Sequence, residues 1–161
     1  NIWWHLYNLA CVPDISGGRY TVDGKLELLS TGVEIFRLIF GDEPLFYADR
    51  LANSCRQMAL LYMEKGDTDA ALEQIERMAD YAVAYDSRPA EAVYGSALIN
   101  RVTYSRAADG TERHTDPDAG KCARLLPHLT GSRVFAPLQD HPRFRAAVGR
   151  MTDCAAGNPI K

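Results

Sequence analysis

Four cysteines, four histidines and one acidic loop carry the side chains best suited to metal, redox or nucleophilic chemistry here. Cys11, Cys55, Cys122 and Cys154 form no Cys-x-x-Cys pair, and their spacing matches no zinc pattern. They read as four separate reduced thiols in a cytoplasmic protein. His5, His114, His128 and His141 lie far apart, and none stands in a His-Glu-x-x-His frame. The loop "DGTERHTDPDAG" collects Asp109, Glu112, His114, Asp116 and Asp118. A calcium loop starting at Asp116 needs glycine at position 121 and a bidentate acid at position 127. Those positions hold Lys121 and Pro127, so the loop reads as a solvated connection. Neither Gly-x-Ser-x-Gly, a P-loop nor Gly-x-Gly-x-x-Gly occurs. These patterns predict no metal, no cofactor and no enzyme, and nothing in the spacing favours a Cys–His nucleophile.

The elements that must position any site are helical in pattern. The 161 residues suffice for one domain with a real core. Hydrophobic residues make up 47% and charged residues 24%, ordinary for a soluble protein. A net charge of −3 argues against this chain holding nucleic acid by itself, which needs a basic face to replace counterions. No apolar run approaches the ~20 residues that cross a bilayer, so no membrane contact is expected. The opening "NIWWHLYNLACVPD" has no basic region before its apolar run and breaks at Pro13, unlike a signal peptide. The chain starts with Asn1 rather than Met, as a fragment of a longer protein would.

Residues 2–10 are a short apolar helix candidate, with Trp3 and Trp4 as core or interface anchors. Over 25–40, Leu28, Leu29, Val33, Phe36 and Phe40 return at helical period. Over 45–65, Leu51, Cys55, Met58, Ala59 and Tyr62 form one apolar stripe. Gly66 suits the left-handed position that stops this helix, and Asp67 or Thr68 can cap the next. That helix runs to about residue 85, burying Ala71, Leu72, Ile75, Met78, Ala79 and Ala82. So short a break between two long helices predicts an antiparallel hairpin. Beyond Pro89, "AEAVYGSALINRVTYS" fits either a helix interrupted by glycine or a helix turning extended. "KCARLLPHL" predicts a helix broken or bent at Pro127, and a last helix spans 142–151. Residues 156–161 read as a frayed tail, leaving a single all-α domain over 1–155.

The stretch "MALLYMEKGDTDAALEQIERMADYA" now carries a resemblance. Cys55, Met58, Ala59, Tyr62, Gly66, Ala71, Ile75 and Met78 resemble one tetratricopeptide repeat, the small residues falling where the two helices cross. Met78 departs from that pattern, since a small alanine is usual there, and Ala79 follows it. The resemblance implies antiparallel hairpins stacked as a short superhelix with a C-terminal capping helix. A second resemblance rests on residues 45–86, "YGSALINRV" and "FAPLQDHPRF". These are similar to the C-terminal half of helix-turn-helix (XRE-type) transcriptional regulators from Gram-positive anaerobes. It implies a DNA-binding head upstream of Asn1 and a regulatory body here, binding a peptide or protein effector and pairing as a homodimer. The alternative is a stand-alone interaction scaffold with no DNA role. In "PLQDHPRF", Phe135, Leu138 and Phe144 are expected in the core.

Asn53, Arg56, Leu60 and Met63 match the repeat positions that line a concave groove. Asparagine can hold a peptide amide and arginine can grip a carboxylate in a fork. Leucine and methionine offer an adaptable apolar floor. The competing expectation is that this face packs against other helices. Asn100 either bridges a buried break in the backbone or presents a polar group to the groove, and Tyr94 fits either role.

Overall fold

The computed structural model describes residues 20–41, 48–88 and 120–157, with the backbone of 91–94 and 102–105. Its body is all-α. Helix α1 spans Val22–Phe40, α2 Ala48–Lys65, α3 Thr68–Asp86, α4 Lys121–Thr130 and α5 Pro142–Ala155. The candidate helix at 2–10, Pro44, the acidic loop and Asn100 lie outside the described residues.

Helix α1 starts earlier than its apolar period, because Thr21 caps it by accepting from the Gly24 amide at 3.1 Å. It ends at Gly41, whose φ of 76° suits glycine alone without strain. Leu26, Leu29, Phe36 and Phe40 are buried, whereas Leu28 is only half-buried. Asp23 meets Lys65 at one end of the α1–α2 contact, and Phe36 and Phe40 meet Leu51 at the other. The two helices therefore run antiparallel.

The α2–α3 hairpin forms as its residues predict. Gly66 has φ 76°, the Asp67 amide donates to the Tyr62 carbonyl at 2.9 Å, and the Gly66 amide to the Met63 carbonyl at 3.0 Å. This is a Schellman closure, with the last-turn carbonyls satisfied by the two residues past the helix. Asp67 then caps α3, its Oδ1 accepting from the Ala70 amide at 3.1 Å. Leu51, Cys55, Met58, Ala59, Ala71, Leu72, Ile75, Met78, Ala79 and Ala82 are all buried, and Tyr62 packs at the margin. Alanines at 59 and 71 leave room for the helices to approach closely.

Residues 91–94 and 102–105 are extended rather than helical. Glu91–Tyr94 pairs antiparallel with Val102–Ser105, in the register Glu91↔Ser105 and Tyr94↔Val102. Val102, Thr103 and Tyr104 are β-branched or aromatic, which favours extended backbone over helix. This ribbon is the one departure from helix among the described long elements.

Helix α4 runs through Pro127 to Thr130 without breaking. A 3₁₀ turn at Ala136–Leu138 leads to α5, where Pro142 takes the first helical position and His141 caps. Phe135, Leu138 and Phe144 are buried, as expected. Arg143 meets Glu76, and Arg150 meets Asp80 at 3.1 Å, so α5 lies parallel to α3. Lys121 at the start of α4 meets Asp86 at the end of α3, so α4 returns antiparallel to α3 and parallel to α2. This order of antiparallel pairs is compatible with the expected stacked hairpins. No helix among the described residues is long and apolar enough to cross a membrane.

Candidate functional site

An open trough lies between α2 and the turn that follows α4. Its volume is about 560 Å³, within the range of natural ligand sites. Gln57, Leu60, Leu61, Met63 and Glu64 of α2 form one side, and Val134 and Pro137 of the turn after α4 form the other. Leu60 and Met63, two of the residues expected to line a groove, are among these lining residues. Both also touch the main core, so they form a floor fixed from below. Val134 stands 45% exposed on the opposite wall.

The other end of this face is cationic. Arg56 lies one turn before Leu60 on the same side of α2, about 6 Å along the axis. It is half-buried, and its Nε is out of reach of water with no hydrogen-bond partner. Burial pulls its pKa below the ordinary value. Lys121, in the first turn of α4, is only 9% exposed. No carboxylate among the described residues stands within ion-pair distance of its ammonium. Burial lowers its pKa most; Asp49 opposes this, while Arg124, Arg50 and Arg56 add to it. Among the described residues, positive charge thus outnumbers negative around Lys121. An unpaired buried cation is costly, and an anion arriving there recovers the missing interaction. Asn53, a further turn back, is half-buried.

The trough therefore takes in Leu60 and Met63 of the expected set, and Arg56 lies one turn back on the same helix face. Asn100 lies outside the described residues. Gln57, Leu61, Glu64, Lys121, Val134 and Pro137 were not foreseen. Gln57, Leu61 and Glu64 follow from Leu60 by helical spacing alone. Lys121, Val134 and Pro137 lie more than fifty residues away in sequence, and no local signal links them to α2.

Cys55 is a core thiol. Burial pushes its pKa up to about 12, which leaves it un-ionised and inert at neutral pH.

Set against known proteins, the chain matches no family model, no curated protein and no solved structure. Fold and site define its class instead: a helical-hairpin domain with an open trough between α2 and the turn after α4.

Proposed function

We propose that this chain is an interaction domain that seats an acidic, apolar segment of a partner protein in the trough between α2 and the turn after α4. The observation behind the reading is Lys121. It is nine-tenths buried with no carboxylate among the described residues within ion-pair distance, and Arg56 nearby has an Nε without a partner among those residues. A carboxylate of the partner satisfies both cations in charge-assisted hydrogen bonds. Its apolar side chains lie on Leu60 and Met63, facing Val134 and Pro137. Rigid floor and buried charge supply the anchor and the selectivity, respectively.

In a regulator of the kind the second resemblance implies, this segment is the effector. An effector that prefers one curvature of the helical stack shifts the population and repositions a DNA-binding head. Copies of the chain then pair through terminal helices; Leu38 of α1, 71% exposed, offers apolar surface for that contact.

The test is fluorescence polarisation against an array of ten-residue peptides. These combine leucine, methionine or phenylalanine with aspartate or glutamate, and each has a twin with lysine in place of the acid. Acidic members should bind, their twins should not, and Arg56→Met or Leu60→Asp should weaken binding at least tenfold. Equal binding of both sets, or indifference to both substitutions, removes the reading.

A further inference from the structure

Three helix ends converge at one point beside the start of α4. Asp86 closes α3, Cys122 lies in the first turn of α4, and Cys154 lies in the last turn of α5. A carboxylate oxygen and the two Sγ atoms all lie within 4.8 Å of one another. Cys122 is fully buried, while Asp86 and Cys154 are partly open.

The carboxylate is held firmly. Asp86 Oδ1 accepts from the Lys121 amide at 2.6 Å, and Oδ2 from the Cys122 amide at 2.8 Å. Gly120 lets it approach: a Cβ there would stand 2.6 Å from Oδ2. These contacts account for the carboxylate as the cap of α4. They do not account for two thiols, from two further helix positions, meeting at the same point.

We propose that Asp86, Cys122 and Cys154 form a binding site for one zinc-class divalent cation. Two thiolates and a carboxylate make a donor set that suits a borderline-soft ion. Tetrahedral zinc with sulfur at ~2.3 Å and oxygen at ~2.1 Å spaces its donors about 3.5–3.8 Å apart. A cluster spread over at most 4.8 Å reaches that spacing by small side-chain movements. The two amides on Asp86 play the part of the outer hydrogen bonds that orient metal-bound carboxylates. On binding, each thiol gives its proton to solvent as its sulfur–metal bond forms. The partly open side, at Asp86 and Cys154, leaves the fourth position to water. The ion ties the ends of three helices at one point and so stabilises the body that carries the trough.

The test uses the whole chain with a phosphine reductant. One equivalent of Co²⁺ should give a sulfur-to-cobalt charge-transfer band and the visible bands of a tetrahedral site. Cys122→Ser and Cys154→Ser should each remove about half of the charge-transfer band, and Asp86→Asn should weaken binding. Zn²⁺ should raise the Tm of the wild-type protein. Because Cys122 is a core residue, a second measurement uses the unaltered chain: Zn²⁺ should slow maleimide labelling of Cys154, mapped by mass spectrometry. Absence of the charge-transfer band, its persistence at full intensity in both serine variants, or labelling of Cys154 indifferent to Zn²⁺ would overturn the site and leave Asp86 a helix cap only.

Discussion

Arg143 holds Glu76 in two parallel hydrogen bonds, Nε to Oε1 at 2.8 Å and Nη2 to Oε2 at 2.7 Å. The pair joins α5 to the middle of α3 and fixes the second hairpin against the first. Fork-on-fork geometry of this kind sets direction as well as attraction. The hydrogen bond from Arg143, with its charge, holds the Glu76 carboxyl below its ordinary 4.5. Its contribution to stability is therefore present above the unfolded value and lost as pH falls through the folded one. Glu76→Gln should lower Tm at pH 7. The gap from wild type should close below about pH 4.5 and shrink in about 0.5 M salt. A gap that is the same at pH 7 and pH 3 in thermal scans would show that the charge is not what the pair contributes.

Gly66 tests the turn. Open space surrounds the position, so a substitution meets only the φ of 76°. Gly66→Ala should cost about 1 kcal/mol, and Gly66→Asn less, because asparagine tolerates the left-handed region. Urea unfolding of the two variants measures the difference, and equal costs would contradict it.

Ala59 tests the close approach of α2 and α3. It is fully buried, as are Ala71, Ile75 and Ala79. Ala59→Leu has no void to enter and should destabilise by about 1–3 kcal/mol through forced backbone shifts. Met78→Ala, on the other side of the contact, should cost about 2–5 kcal/mol by leaving a cavity. Denaturant midpoints compare both with wild type, and a neutral Ala59→Leu would mean that the crossing is looser than described.

Lys121 tests whether stability is given up at the trough. Its charge is disfavoured by burial, so its pKa lies below the ordinary 10.5. The penalty is present at neutral pH and fades as pH rises through the folded pKa toward the unfolded one. Lys121→Met should therefore be more stable than wild type at pH 7, by about 1 kcal/mol, with the advantage shrinking toward pH 10.5. The same variant should lose affinity for acidic peptides. If it is both less stable and unchanged in binding, the ammonium serves neither role.

Gly120 tests the cap. An added methyl displaces the Asp86 carboxylate from the two amides that hold it, which its short side chain cannot follow. Gly120→Ala should cost about 1–3 kcal/mol. Amide exchange at Lys121 and Cys122 should rise more than exchange in α2, and uniform exchange would place the defect elsewhere.

Local chemistry alone determined the α2–α3 hairpin. Gly66 requires a left-handed residue, Asp67 caps, and the period of Cys55, Met58, Ala59 and Ile75 sets the buried faces; each acts within a few residues of itself. The shared helix face of Arg56, Leu60 and Met63 was legible for the same reason, because spacing alone sets it. Extended backbone at 91–94 and 102–105 was not settled by sequence. Short segments rich in valine, threonine and tyrosine fit a helix or a strand, and pairing across the ribbon decides between them. Tertiary structure alone brought Lys121 and Val134 to α2, and gathered Asp86, Cys122 and Cys154 at one point. Their spacings of 36 and 32 residues match no motif, because helix packing rather than chain proximity sets those distances. A helix face is written in a dozen residues, but a contact between helices depends on where every intervening turn sends the chain.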